Sequence, residues 1–284
     1  MVLLKTRPLP NTYFHQTKPA MNNIFELKRF GLLLKKIIME RPVQLLGLLG
    51  LILAATLIIY SALLHFIGWT LSQNLTFVYC FIGGGCFLSS IAFGYFGTNA
   101  SGSAYLTLPA STFEKWLCGV LMVGLFFPIL FLAFFRIMDA SFVIVYHNGL
   151  DKNSPSYKML YDAVHTFTFD SVFVKESIMI YVNFIGAMLV GSLYFNKVSA
   201  IKTAIVYIGA VGFIYFLNLF LANLAFRNVD IAFPFNSVMI KVGSGIGILE
   251  LPANISSIVH VVFLFIIPIV LWITAYIRLR EKEI

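Results

Sequence analysis

Six apolar runs of about twenty residues, free of Asp, Glu, Lys and Arg, alternate with polar segments along the chain. They cover 43–66, 77–96, 117–135, 177–195, 203–226 and 258–277. A helix of about 20 apolar residues crosses a hydrocarbon core of about 30 Å. The pattern therefore predicts an all-α polytopic membrane protein with six transmembrane helices. Gly83, Gly84 and Gly85 interrupt the second run, Pro128 is expected to kink the third, and Pro268 lies inside the sixth. Such residues are tolerated in spans where neighbouring helices satisfy the freed backbone groups.

The flanks carry different patterns. Residues 1–21 are polar, hold three prolines and show no period, so they read as a disordered N-terminal tail, with Met21 an alternative start. Over 22–41 the period changes to that of a helix. Asn22 or Asn23 can cap it, with Glu26 in its first turn. Leu27, Phe30, Leu33, Leu34, Ile37 and Ile38 fall on one arc, and Lys28, Arg29, Lys35 and Lys36 on the other. This predicts an amphipathic helix in the membrane interface; packing on the protein itself is the alternative. Pro42 ends that helix or turns it into the first span.

Two inter-span segments are long. Residues 136–176 contain the turn cluster DKNSPS and an alternating stretch, TFTFDSVFV. Residues 227–257 contain SVMIKV and IGILELP around Gly243-Ser244-Gly245, which reads as a small hairpin or a re-entrant segment between helices five and six.

Composition sharpens this picture. Sixty per cent of residues are hydrophobic, 11 % are charged, and mean hydropathy is +0.90. That is too little charge to coat a water-exposed surface, since soluble domains carry about 25 % charged residues. Low hydrophobicity, the mark of a disordered chain, is equally absent. The net charge of +8 then marks cytoplasmic flanks and anionic lipid heads rather than nucleic acid. With both termini inside, fourteen Lys and Arg lie on the inner side against six on the outer, and eight of the fourteen precede the first span. Both termini are thus expected in the cytoplasm, in the cytoplasmic (inner) membrane. No cleavable signal peptide is legible, so the first run is expected to act as an uncleaved anchor. Cys80, Cys86 and Cys118 lie in or beside apolar runs without metal-type spacing and read as buried thiols.

Catalytic signals are missing from the sequence. It holds no GxxxxGK[ST], HExxH or GxSxG motif. The GSGIG at 243–247 lacks the lysine of a phosphate loop. No enzyme activity, cofactor or metal is expected of this chain. Nor does any span carry Asp, Glu, Lys or Arg in its central turns, where a proton-coupled carrier places them. His65 and His260 fall near outer span ends, and Trp69, Trp116 and Trp272 near predicted boundaries. Arg136 and Asp139 stand one helical turn apart beyond the outer end of the third span, a candidate outer gate pair whose members can bind each other. Small residues such as Ala187 and Gly191 recur at helix-packing spacing. If the chain moves a substrate, the energy comes from a second protein.

The inner segment at 97–119 indicates which. It begins Gly/Ser-rich and continues as LTLPASTFEKWL over 106–117. Ser111 or Thr112 can cap the following helix, with Glu114 close behind. The expected result is a short helix presenting Phe113, Glu114 and Lys115 at the cytoplasmic face. This segment resembles the Leu-Pro-x-Ser-x-x-Glu-Lys pattern of the membrane subunits of bacterial type-2 ATP-binding-cassette exporters. The amphipathic helix at 22–41, the long outer segment before span six and the basic tail AYIRLREKEI add to the resemblance, which covers roughly 22–284. It implies a permease that pairs with a separate cytosolic P-loop ATPase and with a second permease copy or homologous permease. It also implies that the loop is a coupling helix, with Pro109, Ser111, Phe113, Glu114, Lys115 and Trp116 as docking residues. On the exporter reading, changing Glu114 and Lys115 is expected to uncouple the ATPase without unfolding the permease. The outer segment at 136–176 is longer than the family's usual loop; it could hold an outer domain, a partner site or a helical extension of span three. A non-transporting membrane scaffold or assembly factor is the alternative. An intramembrane lipid enzyme has only Tyr60, His65 and His260 to draw on.

Overall fold

The computed structural model describes residues 25–40, 42–97, 99–195, 199–226, 229–234, 237–242 and 245–282. The expected tail at 1–21, the Met21 start, the Asn22 or Asn23 cap and the turn at 243–244 lie outside them.

Among the described residues six helices are long and apolar enough to cross a membrane. In chain order, α1 is Leu27–Glu40, α2 Pro42–Ile67, α3 Trp69–Ala92 and α4 Asn99–Leu106. Next come α5, Thr112–Asn148, and α6, Tyr157–Asp162. Then follow α7, Val172–Tyr194, α8, Ser199–Ala225, and α9, Ala253–Glu281. The candidate spans are α2, α3, α5, α7, α8 and α9.

Every expected run lies within or largely within one of these helices, but the edges move. Helix α3 starts at Trp69 rather than 77, because its polar first turns are turned inward: Ser72, Gln73 and Thr76 are buried in the bundle. Hydropathy cannot register a polar turn that faces protein. Gly68 alone joins α2 to α3, at φ 82°, a conformation that glycine adopts without strain. The triple glycine does not break α3. It lets α7 approach, since a Cβ at Gly85 would strike the Tyr181 ring. On α7 itself Ala187 and Gly191 are buried, and Gly191 lies against Thr203 of α8.

Helix α5 is the largest correction. It runs 37 residues, not 19. At 1.5 Å per residue it is about 55 Å long, well beyond the roughly 30 Å of a hydrocarbon core. The stretch at 136–148 is thus a helical extension of the third span. The alternation in TFTFDSVFV makes no strand: 164–168 form no regular element, and Val172 opens α7.

Helix α7 is the central element, buried along most of its length between α3 and α9. Helix α8 is peripheral, with only Thr203 and Ala222 buried. The core is aromatic: Phe77, Phe81, Phe127, Phe131, Phe135 and Tyr181 pack together where α3, α5 and α7 meet. Between α8 and α9 the chain leaves the all-α pattern. Strands β1 (Val229–Ala232), β2 (Ser237–Val242) and β3 (Gly245–Glu250) form an antiparallel sheet in the order β1-β2-β3. The β2–β3 ladder pairs Ser237 with Glu250 through to Val242 with Gly245. The β1–β2 pairing carries an irregularity between Val229 and Ile231, and Lys241 bridges Asp230 at 2.9 Å.

Candidate functional site

The predicted inner loop folds against α1. Ser111, at φ −70° and ψ 156°, is the N-cap of α5. Its hydroxyl accepts from the Glu114 N–H at 3.1 Å, and the Glu114 carboxylate accepts the Ser111 N–H at 2.9 Å. This reciprocal capping box satisfies two donors that a helix start leaves orphaned. The same carboxylate receives Arg29 Nε at 2.7 Å and Arg29 Nη2 at 2.9 Å, and also the Glu26 N–H at 2.8 Å.

The Glu114 side chain is fully buried and that of Arg29 is 15 % exposed. An isolated carboxylate would not stay ionised there, because stripping it of water costs far more than folding can supply. Four N–H donors and a guanidinium charge replace the water. The hydrogen bond to Glu114 raises the Arg29 pKa above its ordinary value against the opposing effect of burial.

Lys115 is also buried, its ammonium donating to the Leu106 carbonyl at 2.9 Å and lying 5.9 Å from the centre of the Tyr105 ring. Glu114 and Lys115 are thus not presented at the cytoplasmic face, which corrects the sequence expectation. The capping residue at N3 must fold back on its own helix start, and here it also reaches α1. Phe113 and Trp116 are half-buried; their rings lie tilted against each other and edge to face with Tyr276 of α9. Trp116 Nε1 donates to the Trp272 carbonyl at 2.9 Å. What the segment exposes is its turn and the helix before it: Ser103, Ala104, Thr107 and Pro109.

Helix α1 divides its faces accordingly. Phe30 and Leu33 are buried, packing with Leu34 and Ile37 around Cys118 of α5. Leu27 and Ile38, predicted on the same arc, are exposed, as are Leu32 and Met39. Lys28, Lys35 and Lys36 are exposed too, while Arg29 turns to Glu114.

At the opposite, sheet-bearing end, Arg136 and Asp139 do not pair. Asp139 is fully buried. Its Oδ1 accepts from Tyr60 Oη at 2.7 Å and Gln73 Nε2 at 2.8 Å, and its Oδ2 from the Phe167 N–H at 2.7 Å. Arg136 Nη1 donates to the Phe167 carbonyl at 2.9 Å. The two charges thus take the N–H and the C=O of one residue in the 164–168 strap. Gln73 also binds the His165 carbonyl at 2.9 Å, and His147 Nε2 lies 3.1 Å from the Val164 carbonyl. The Phe167 ring then seals the bundle, 4.9 Å from Phe77 and 5.2 Å from Phe135 between ring centres. This pair latches a strap rather than lining a gate.

A third arrangement was not read from the sequence. In α5 a π-turn over Met122–Phe126 precedes Pro128; in α9 a π-turn over Val262–Ile266 precedes Pro268. Phe127 and Ile267 bond five residues back, to the carbonyls of Met122 and Val262. Each following proline has no N–H for the next carbonyl. Helix α7 supplies both missing donors, Tyr181 Oη to Val123 at 2.6 Å and Asn183 Nδ2 to Phe263 at 2.7 Å. The legible signal was the coincidence of FFPIL and IIPIV in two spans with polar Tyr181 and Asn183 in a third. Among the described residues no group of three His, Cys, Asp or Glu side chains could hold a metal ion. Comparisons with protein-family models, curated proteins and solved structures find no match.

Proposed function

We propose that this chain is the membrane subunit of an ATP-driven exporter. It lies in the bacterial cytoplasmic membrane with both termini inside, pairs with a second permease copy or homologous permease, and takes energy from a separate cytosolic P-loop ATPase. The observation that carries the reading is the loop at 97–119: a capped helix start, clamped to α1 by Glu114 and Arg29, with Thr107 and Pro109 exposed at its turn. A docking element must transmit force without deforming. Here the turn is continuous with α5, so a push on it reaches the π-turn at Met122–Phe126 about three turns away.

Two further observations agree. The exposed face of α1 mixes Leu27, Leu32 and Met39 with Lys28, Lys35 and Lys36, the composition of a helix lying among anionic lipid heads. The buried acid in the extended α5, Asp139, is committed to three donors of the strap latch, which supports an external energy source over a proton relay.

The test is purification in mild detergent from the native membrane. A P-loop ATPase should accompany the chain, and Thr107→Glu or Pro109→Arg should weaken that association without lowering thermal stability. Purification free of any ATPase under mild conditions would sink the exporter reading and leave the membrane scaffold in its place.

A further inference from the structure

A cavity of about 450 Å³ opens between α7, α8 and the sheet-proximal half of α9. Its size lies within the range of about 300–1,000 Å³ typical of small-molecule sites. A second cavity of about 360 Å³ adjoins it across Val259 and reaches up beneath the sheet. Among the described residues the formal charges on the two linings are both negative, Glu176 on the first and Glu250 on the second, and no Lys or Arg lines either. Phe184 and Tyr207 form one wall, edge to face at 4.5 Å between ring centres. Asn183 lies on the same lining and is 4 % exposed. Both of its amide hydrogens go to carbonyls, of Met179 and Phe263, and its Oδ1 accepts nothing.

We propose that this cavity binds an alkylammonium amphiphile, a cationic head on an apolar body. The carboxylate of Glu176 supplies the opposite charge. The rings of Phe184 and Tyr207 attract a cation further. The apolar body lies along Val211 and Phe263, where α8 leaves the cavity open at its side. The site belongs to this chain alone and does not depend on the exporter reading.

Titration calorimetry on the full chain in phosphatidylcholine nanodiscs tests it. Dodecylammonium and dodecyltrimethylammonium should each bind saturably at one site, and dodecyl sulfate without saturation. Glu176→Gln should weaken dodecylammonium about tenfold. Val211→Trp, which fills the cavity, should abolish saturable binding. Both positions are exposed, so both variants should melt as the parent does. Equal affinity for the three amphiphiles, or parental affinity in both variants, overturns the proposal, because bilayer partition alone would then account for the heat.

Discussion

At the scale of single residues, Glu114 serves local and long-range structure at once. Its carboxylate closes a capping box with Ser111 and anchors Arg29 and the Glu26 amide. Those two duties can be separated. Glutamine keeps the box, which accepts Glu or Gln at that position, but loses the charge that Arg29 answers. Alanine loses both. Breaking a buried pair by removing one partner costs about 3–5 kcal/mol, and losing an N-cap interaction about 1 kcal/mol. Because Arg29 keeps some access to water, about 3 kcal/mol is expected for Glu114→Ala, with Glu114→Gln between it and the parent. Thermal unfolding in detergent checks the order. A residue that only contacted a partner would give three equal melting curves. Part of this was legible: Ser111 three residues ahead of Glu114 is the spacing of a capping box. The Arg29 partner, 85 positions away, was not, because no local periodicity reports which face of α1 meets α5.

At the scale of elements, α5 and α9 repeat one device, a π-turn followed by proline, with the orphaned carbonyl taken by a side chain of α7. The orphan and its donor form a coupled pair. Tyr181→Phe keeps the ring, stacked 4.2 Å from Phe81, and removes only the hydroxyl. It leaves the buried Val123 carbonyl unsatisfied, at a cost of about 1–3 kcal/mol. Pro128→Ala restores an N–H at the position where one was missing, so the hydroxyl should matter less in that background. A double-mutant cycle on unfolding stability should therefore show a coupling of at least about 0.5 kcal/mol between positions 181 and 128. Additive losses would mean that the hydroxyl and the proline act independently. Sequence patterning finds both prolines inside spans and gives only Pro128 a consequence, a kink, since the compensating donor sits on a different helix. It also misplaced the helix ends for one physical reason. Ser72, Gln73 and Thr76 are polar but face protein, and Arg136 and Asp139 end an apolar run without ending a helix.

At the scale of the whole molecule, the two ends of the bundle differ in chemistry, and the difference fixes how it should sit in a membrane. The end with α1 and the loop at 97–119 gathers Lys28, Lys35, Lys36, Arg278 and Arg280. The other end carries the strap and the sheet with Arg136, Lys152, Lys158, Lys175 and Lys241; with Arg29, Lys115, Lys202 and Lys282 added to the first end, the described Lys and Arg divide nine to five. Positive charge is retained on the cytoplasmic side, so with an even number of crossings both termini are expected there. The native thiols help to test this, because Cys80 and Cys118 are buried and Cys86 is half-buried within α3. New cysteines at exposed Thr107 and at exposed Lys152 then report the two ends separately. In intact cells a membrane-impermeant maleimide should label Lys152→Cys and leave Thr107→Cys untouched until the membrane is opened. The reverse pattern would invert the topology and place the loop turn beyond the reach of any cytosolic ATPase. Labelling of both positions in intact cells would instead require an even number of crossings between them, which α5 as a single span cannot provide. The experiment therefore decides orientation and span count together, through the one helix that joins the clamp at Glu114 to the latch at Asp139.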